Sequence, residues 1–200
     1  AVAYAQTADN EYRTIANDFL QVLLNTSLRN EFPDVPISEI INKTILDQPF
    51  KAFTLSYEDI LESNASDLIN KLKLVAYGYP LIIEGKGYGV IFVSTVGNGV
   101  SRSSGSITDN YIIKMMNDNR NLENTEFYKV RLDLNYHEFI IMKKDNSIYF
   151  NTMKPGTANK FNIQIDSNNI PNTNVYELMP RLQTYSRDMY EKNEENFKKE

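Results

Sequence analysis

Residues Tyr77–Met116 read YGYPLIIEGKGYGVIFVSTVGNGVSRSSGSITDNYIIKMM and carry the clearest structural pattern of this 200-residue chain. They contain seven of its eight glycines. The pattern predicts three strands joined by two glycine turns, with strands over 79–84, 88–96 and 100–103 and turns over 85–87 and 97–99. Thr108 or Asp109 is the expected cap of a following amphipathic helix. Consecutive hairpins of this kind predict an antiparallel sheet.

The second predicted strand, Tyr88–Val96, is almost wholly apolar. A strand of this composition is apolar on both of its faces, because successive side chains point to opposite sides of a sheet. We therefore expect helices to cover both faces of the sheet at this strand.

The segments on either side predict an α+β fold made of one domain, residues 1–200. Thr7–Arg29 has helical period, with Ile15, Phe19 and Val22 among the residues expected on its buried side. The other expected elements are helices over 38–46, 56–62 and 64–72, a last helix starting at 174 or near Met179, and strands over 49–55, 127–134, 138–143, 148–152 and 161–165. The expected architecture is a mainly antiparallel sheet with N-terminal helices, an inserted helix and a C-terminal helix. The charged segment 192–200 is expected to fray.

The composition argues against several classes of function. The net charge of −5 and isoelectric point near 5.1 disfavour nucleic acid or an anionic membrane as the main partner. There is no cysteine and one histidine, His137, so thiolate and multi-histidine metal sites are excluded within one chain. Gly85–Gly89 precedes a predicted strand, not a helix, so it indicates a turn and not a phosphate loop. We expect no cofactor, no metal and no transmembrane segment.

Two features predict an extracytoplasmic location. Ala3-Tyr4-Ala5 matches the small-x-small pattern of signal-peptidase cleavage, so residues 1–8 are expected to be a signal-peptide remnant or a disordered start. The order of elements over Pro49–Thr152 resembles uncharacterised secreted or cell-envelope α+β domains of bacteria. That resemblance implies export and supplies no catalytic residues.

A catalytic reading depends on His137. Ser103 or Ser104 with His137 and Asp133 or Asp145 would make a triad, but no Gly-x-Ser-x-Gly signature is present. The hairpin from His137 to Asn151 also resembles the histidine and asparagine strands of papain-like cysteine peptidases. Because the chain has no cysteine, the roles of that family are not carried over, and His137 is expected to be a strand-start residue with a hydrogen-bond partner.

The hypothesis that the sequence favours is a non-catalytic, exported bacterial domain that binds a protein, a peptide or a cell-envelope polymer. The candidate binding residues are Tyr77, Tyr79, Tyr88, Ser103 and His137. The rim formed by Gly85–Tyr88 and Ser101–Gly105 is the expected place of a site. Two alternatives stay open: a hydrolase that uses His137 with a serine or carboxylate partner, and an immunity or inhibitor protein.

Overall fold

The computed structural model describes residues 2–119, 122–132, 137–145, 147–165 and 170–197, which form one large sheet with helices on both faces. The helices are α1 (Val2–Asn25), α2 (Ser27–Glu31), α3 (Ile37–Lys43), α4 (Tyr57–Glu62), α5 (Ile107–Asp118), α6 (Pro155–Phe161) and α7 (Val175–Phe197), with a 3₁₀ turn at Leu68–Lys71. The strands are β1 (Thr44–Leu46), β2 (Phe50–Leu55), β3 (Lys73–Ile83), β4 (Lys86–Ser94), β5 (Val100–Ser103), β6 (Thr125–Leu132), β7 (Glu138–Lys144), β8 (Ser147–Asn151) and β9 (Thr173–Asn174).

The strand order is β5-β4-β3-β2-β6-β7-β8-β9, and β1 pairs with β3 beyond the end of β2. Every described pair is antiparallel except β2 with β6, which run parallel in register from Lys51 opposite Tyr128 to Leu55 opposite Leu132. A parallel pair cannot be closed by a tight turn, and the chain forms α4, the 3₁₀ turn, β3, β4, β5 and α5 between these two strands. The predicted α+β class with a mainly antiparallel sheet is confirmed.

One face of the sheet carries two separate groups of helices. The α1 cluster packs α1, α2 and α3 on β3 and β4, through buried residues such as Leu24, Leu28 and Tyr79. The α7 cluster packs α4, α6 and α7 on β6, β7 and β8, through residues such as Leu182 and Phe150. The strand predicted over 127–134 is present as β6, and its residues 128, 130 and 132 all enter the α7 cluster.

The opposite face is covered by α5, whose Tyr111, Ile112 and Met115 form the α5 cluster with residues of β2, β4, β6 and β7. On β4, Val90 points to this cluster, whereas Ile91 points to the α1 cluster, and both are 0% exposed. The expectation that helices cover both faces of this strand is therefore confirmed.

Gly89 permits a close approach between β4 and the end of β5. It has a φ of +118°, and a Cβ at this position would lie 2.1 Å from the carbonyl oxygen of Ser103. Only glycine fits such a position without moving the backbone. The adjoining ladder is also irregular, with a shift in register between Pro80 and Ile82 on β3.

The first helices differ from the prediction in register and length. Ile15 is 38% exposed and Val22 is 55% exposed, so the prediction that both are buried was wrong. The buried stripe instead runs through Ala16, Leu20 and Leu24, and α1 ends before α2 begins. The predicted helix over 64–72 is only a 3₁₀ turn, and β3 starts six residues earlier than expected, at Lys73. Strand β1 was not predicted.

The cap of α5 is Ser106 and not Thr108 or Asp109. The Ser106 hydroxyl accepts a hydrogen bond from the Asp109 N–H, and the Asp109 carboxylate accepts one from the Ser106 N–H. This reciprocal capping box satisfies two backbone donors at the helix start.

The predicted strand over 161–165 was wrong. Pro155 occupies the first turn of α6, where a missing N–H costs nothing, and the helix continues to Phe161. Asn162 ends it with a φ of 51°. Of the two expected starts of the last helix, the one at 174 agrees with the structure and the one near Met179 was wrong, because α7 begins at Val175 and contains Pro180.

Candidate functional site

The three candidate tyrosines do not form one exposed patch. Tyr79 is 0% exposed, within the α1 cluster. Tyr77 and Tyr88 are half-buried and contact different rings: Tyr77 stacks on Tyr12 with centroids 4.9 Å apart, and Tyr88 lies 5.1 Å from Phe32. These aromatic rings hold α1 and α2 against the sheet, as paired aromatics commonly do.

The predicted rim is a shallow depression of about 560 Å³ beside β5. Its central side chain, Arg102, forms an ion pair with Glu31 at 2.6 Å and donates a hydrogen bond to the Tyr88 carbonyl at 2.7 Å. Because these contacts fix the guanidinium to groups of the protein itself, the rim is mainly a junction between α2 and the sheet.

Ser103 and His137 lie in different parts of the molecule. Ser103 ends β5 on the α5 face, where its hydroxyl lies 3.3 Å from the Asp109 carboxylate. His137 immediately precedes β7, which is separated from β5 by four strands in the sheet order, and contacts the α7 cluster. Asp145 follows the far end of β7, about 26 Å from His137 at roughly 3.3 Å per residue. Asp133, the other proposed triad acid, lies outside the described residues.

His137 is held by two hydroxyl groups. Its Nδ1 lies 3.0 Å from the Thr157 hydroxyl and its Nε2 lies 3.1 Å from the Tyr185 hydroxyl. Burial lowers the pKa of His137, and the positive charges of Lys160 and Lys154 lower it further. The imidazole is therefore favoured in its neutral form. The expected hydrogen-bond partner is present, whereas Asn151 donates to Tyr111 on the opposite face of the sheet.

Asp109 lies at the centre of a charge network that no pattern in the sequence indicates. Its carboxylate is 1% exposed and lies 2.6 Å from Lys129 Nζ, which also lies 3.5 Å from Glu138. Lys154 Nζ lies 3.0 Å from the other oxygen of Glu138, and the Lys129 ammonium sits 5.2 Å from the Phe92 ring centroid. Lys129 lies between the apolar residues 128 and 130 of β6, so its side chain points to the other face of the strand. Only the position of α5 shows that this second face is also covered.

A cleft of about 410 Å³ lies where β2 and β6 begin, beside the last turns of α5. We call it the α5 cleft. Its apolar lining is Pro49, Phe50, Pro80, Ile113, Met116, Leu122 and Phe127, and its polar lining is Asp47, Gln48, Lys51, Asn117, Asn119, Thr125, Glu126 and Tyr128. The volume is within the range of about 300–1,000 Å³ that is usual for small-ligand sites.

The polar rim of the α5 cleft has an acidic bias. Glu126 accepts a hydrogen bond from the Tyr128 hydroxyl at 2.7 Å and has only long contacts to Lys51 and Lys143, at 3.8 and 4.0 Å. Burial raises the pKa of Tyr128, and the neighbouring Glu126 raises it further, so Tyr128 stays a neutral donor. No basic residue occupies the last turn of α5, so the negative end of its dipole is uncompensated by that turn.

Within the part of the chain that the structure describes, no group of three His, Asp or Glu side chains is placed to hold a metal ion. Among the described residues, no helix combines the length and the apolar character that crossing a membrane requires. Comparison with family models, curated proteins and solved structures found no matching family, relative or structure.

Proposed function

We propose that this chain is a non-catalytic binding domain that holds a short peptide segment of a partner in the α5 cleft. The observation that carries the proposal is the combination of an apolar floor with an acidic rim in this recess. The segment we infer presents an apolar side chain beside a basic one.

The floor suits an aliphatic side chain. Phe50 is 1% and Phe127 is 8% exposed, whereas Leu122 is 38% exposed and lies at the surface of the same recess. Burying a leucine-sized side chain against such a floor contributes about 1.5–3 kcal/mol. This gain alone gives weak binding, so the rim has to contribute orientation and selectivity.

The rim suits a cation. Glu126 is 50% exposed in its side chain and its cationic neighbours lie at the limit of ion-pair distance. An arginine or lysine of a partner segment that enters the cleft would be within reach of this carboxylate. Exposed charge pairs are worth about 0.2–1 kcal/mol, which corresponds to at most roughly a five-fold gain in affinity.

A hydrolase that uses His137 is the less favoured alternative. Both ring nitrogens already contact neutral hydroxyls, and Thr157 is 2% exposed, so it is not accessible to a substrate. A nucleophile needs an accessible position beside its base.

Export from a bacterial cell also remains part of the proposal and is supported by the Ala3-Tyr4-Ala5 pattern. Mass spectrometry of the protein from its host tests it, and an N-terminus other than Gln6 would count against it.

Binding is tested by NMR titration of the ¹⁵N-labelled protein with two blocked dipeptides, acetyl-Leu-Arg-amide and acetyl-Leu-Glu-amide. We expect saturable shifts at Met116 and Phe127, with the arginine peptide bound several-fold more tightly. Glu126→Gln keeps an acceptor for Tyr128 but removes the charge, so it should weaken the arginine peptide by about three- to five-fold.

The matched control is Glu123→Gln, an exposed acid in the same connection that does not line the cleft. It should leave both affinities unchanged. Equal affinity for the two peptides would overturn the acidic-rim argument. Shifts that cluster away from the cleft, or no saturable shift with either peptide, would overturn the site.

A further inference from the structure

A second recess lies on the other face of the sheet, where α6 ends against the middle of α7. This recess, the Arg181 depression, has a volume of about 360 Å³. Its lining is Lys160, Pro180, Arg181, Thr184, Tyr185 and Asp188. It is separate from the α5 cleft, because it shares no lining residue with it.

Arg181 is pre-positioned in this depression. Its Nη1 donates hydrogen bonds to the carbonyls of Phe161 and Asn162, both at 3.0 Å. These bonds occupy one arm of the guanidinium, and its other N–H groups form no hydrogen bond within the residues that the structure describes. A fixed guanidinium is well suited to bind a carboxylate through two parallel hydrogen bonds, since little side-chain freedom is lost on binding.

Lys160 supplies a second cation. Its Nζ lies 4.9 Å from the centroid of the Tyr185 ring, so it covers the tyrosine at the floor of the depression. Among the residues that the structure describes, neither Lys160 nor Arg181 forms an ion pair with a carboxylate. Two cations against the one acid, Asp188, leave the lining with a formal charge of +1.

We propose that the Arg181 depression binds the carboxylate of a small organic acid with an apolar body. Arg181 and Lys160 would hold the carboxylate, and the Pro180 ring with the small exposed part of Tyr185 would contact the apolar body. A monoanion with an apolar body matches both the net charge and the apolar part of the lining, whereas inorganic phosphate has no apolar group to contact it. The ligand class follows from these side chains and does not depend on the function proposed for the α5 cleft.

His137 offers a built-in reporter, because it is the only histidine in the chain and its ring contacts Tyr185 directly. The charged and titratable groups around it are Lys154 and Lys160 of α6, Arg181, Tyr185 and Asp188 of α7, Tyr57 of α4 and Glu138 of β7. A bound carboxylate would offset the charge of Lys160, one of the causes that lower the pKa of His137. Binding should therefore raise the NMR titration midpoint of this imidazole.

The experiment follows the His137 Hε1 signal from pH 5 to 8 at constant ionic strength, with benzoate, inorganic phosphate or sodium chloride added. We expect benzoate to raise the midpoint saturably and phosphate to have a smaller effect. Lys160→Gln should raise the midpoint of the free protein and reduce the response to benzoate. Arg181→Lys should weaken benzoate binding at least three-fold while keeping the positive charge.

The matched control is Arg187→Gln, an exposed arginine of α7 outside the depression, which should respond to benzoate as the parent protein does. Circular dichroism confirms that each variant is folded before the comparison. A midpoint that benzoate does not move overturns the proposal. The same result follows if phosphate acts as strongly as benzoate, or if the response persists unchanged in both Lys160→Gln and Arg181→Lys.

Discussion

Replacing Lys129 with methionine should be one of the most damaging single changes to this protein at a position that is not in its apolar core. The ammonium lies 2.6 Å from a carboxylate of Asp109 that is 1% exposed, and the Lys129 side chain is itself only 13% exposed. Methionine has a similar length and keeps an apolar stem against Phe92, so the change removes mainly the charge.

The expected cost is about 3–5 kcal/mol, because a buried carboxylate is left without its counter-ion. Two hydrogen-bond donors stay on the Asp109 carboxylate after the change, namely the Ser106 N–H and the Ser103 hydroxyl. They place the cost toward the lower half of that range. The free energy of unfolding of a small domain is about 5–15 kcal/mol, so this loss is a large fraction of the total stability.

Urea unfolding followed by circular dichroism measures this loss, provided that the slope of the transition is unchanged. The double variant Lys129→Met/Asp109→Asn tests the cause, because asparagine still accepts the bond from the Ser106 N–H but carries no charge. It should recover at least about half of the loss, since removing both charges of a buried pair costs little.

Lys143→Met is the control, because this lysine is 40% exposed and lies 4.0 Å from its partner Glu126. Its effect should be below about 0.5 kcal/mol. The reasoning is refuted if Lys129→Met costs less than about 1 kcal/mol. It is also refuted if the double variant costs as much as the sum of the two single variants.

Three further outcomes follow from single contacts. Gly89→Ala should destabilise the protein by roughly 3 kcal/mol or more, because the added Cβ would lie 2.1 Å from the Ser103 carbonyl oxygen. Gly87→Ala is the control and should cost less than about 1 kcal/mol, because a Cβ there meets nothing within 4 Å. Thermal unfolding compares the two variants. Ser106→Ala should cost about 0.5–2 kcal/mol in the same assay, since it removes one half of the capping box. His137 has a lower pKa in the folded protein than in the unfolded chain, so the free energy of unfolding should fall as the pH drops below about 6.5. His137→Gln should make stability less dependent on pH in that window. A pH profile of the variant that runs parallel to that of the parent protein would contradict this.

The elements that the sequence predicts best are those with local turn or cap chemistry. The hairpin from β4 to β5 is present where Asn98-Gly99 indicates it, and Ser56 caps α4 as expected, accepting a hydrogen bond from the Asp59 N–H. The elements that were missed depend on context. Pro155-Gly156 indicates a break by composition, but proline also suits the first turn of a helix, and only the packing of Phe161 in the α7 cluster decides between the two.

The α5 cleft could not be predicted, because its walls come from segments that are distant along the chain. Residues 47–51, 113–119 and 122–128 meet there only because β2 and β6 pair in parallel. No local pattern specifies such a non-local pairing. The asparagine-rich loop after α5 and the proline before β2 were visible in the sequence, but each indicates only the end of an element. The three candidate tyrosines do not share one exposed surface, since Tyr79 lies in the α1 cluster and is buried there.

The two ends of α5 separate stability from binding. Near its start, Asp109 is 1% exposed and bound by Lys129, so its charge contributes to folding. Beyond its end, Glu126 is 50% exposed and loosely paired, so its charge is available to a partner. Lys129→Met should therefore lower the free energy of unfolding and leave the affinity for acetyl-Leu-Arg-amide within two-fold. Glu126→Gln should weaken that peptide and change stability by less than about 0.5 kcal/mol. If both variants changed both quantities in proportion, α5 would act as one unit, and the peptide affinity would report on the fold instead of a distinct site.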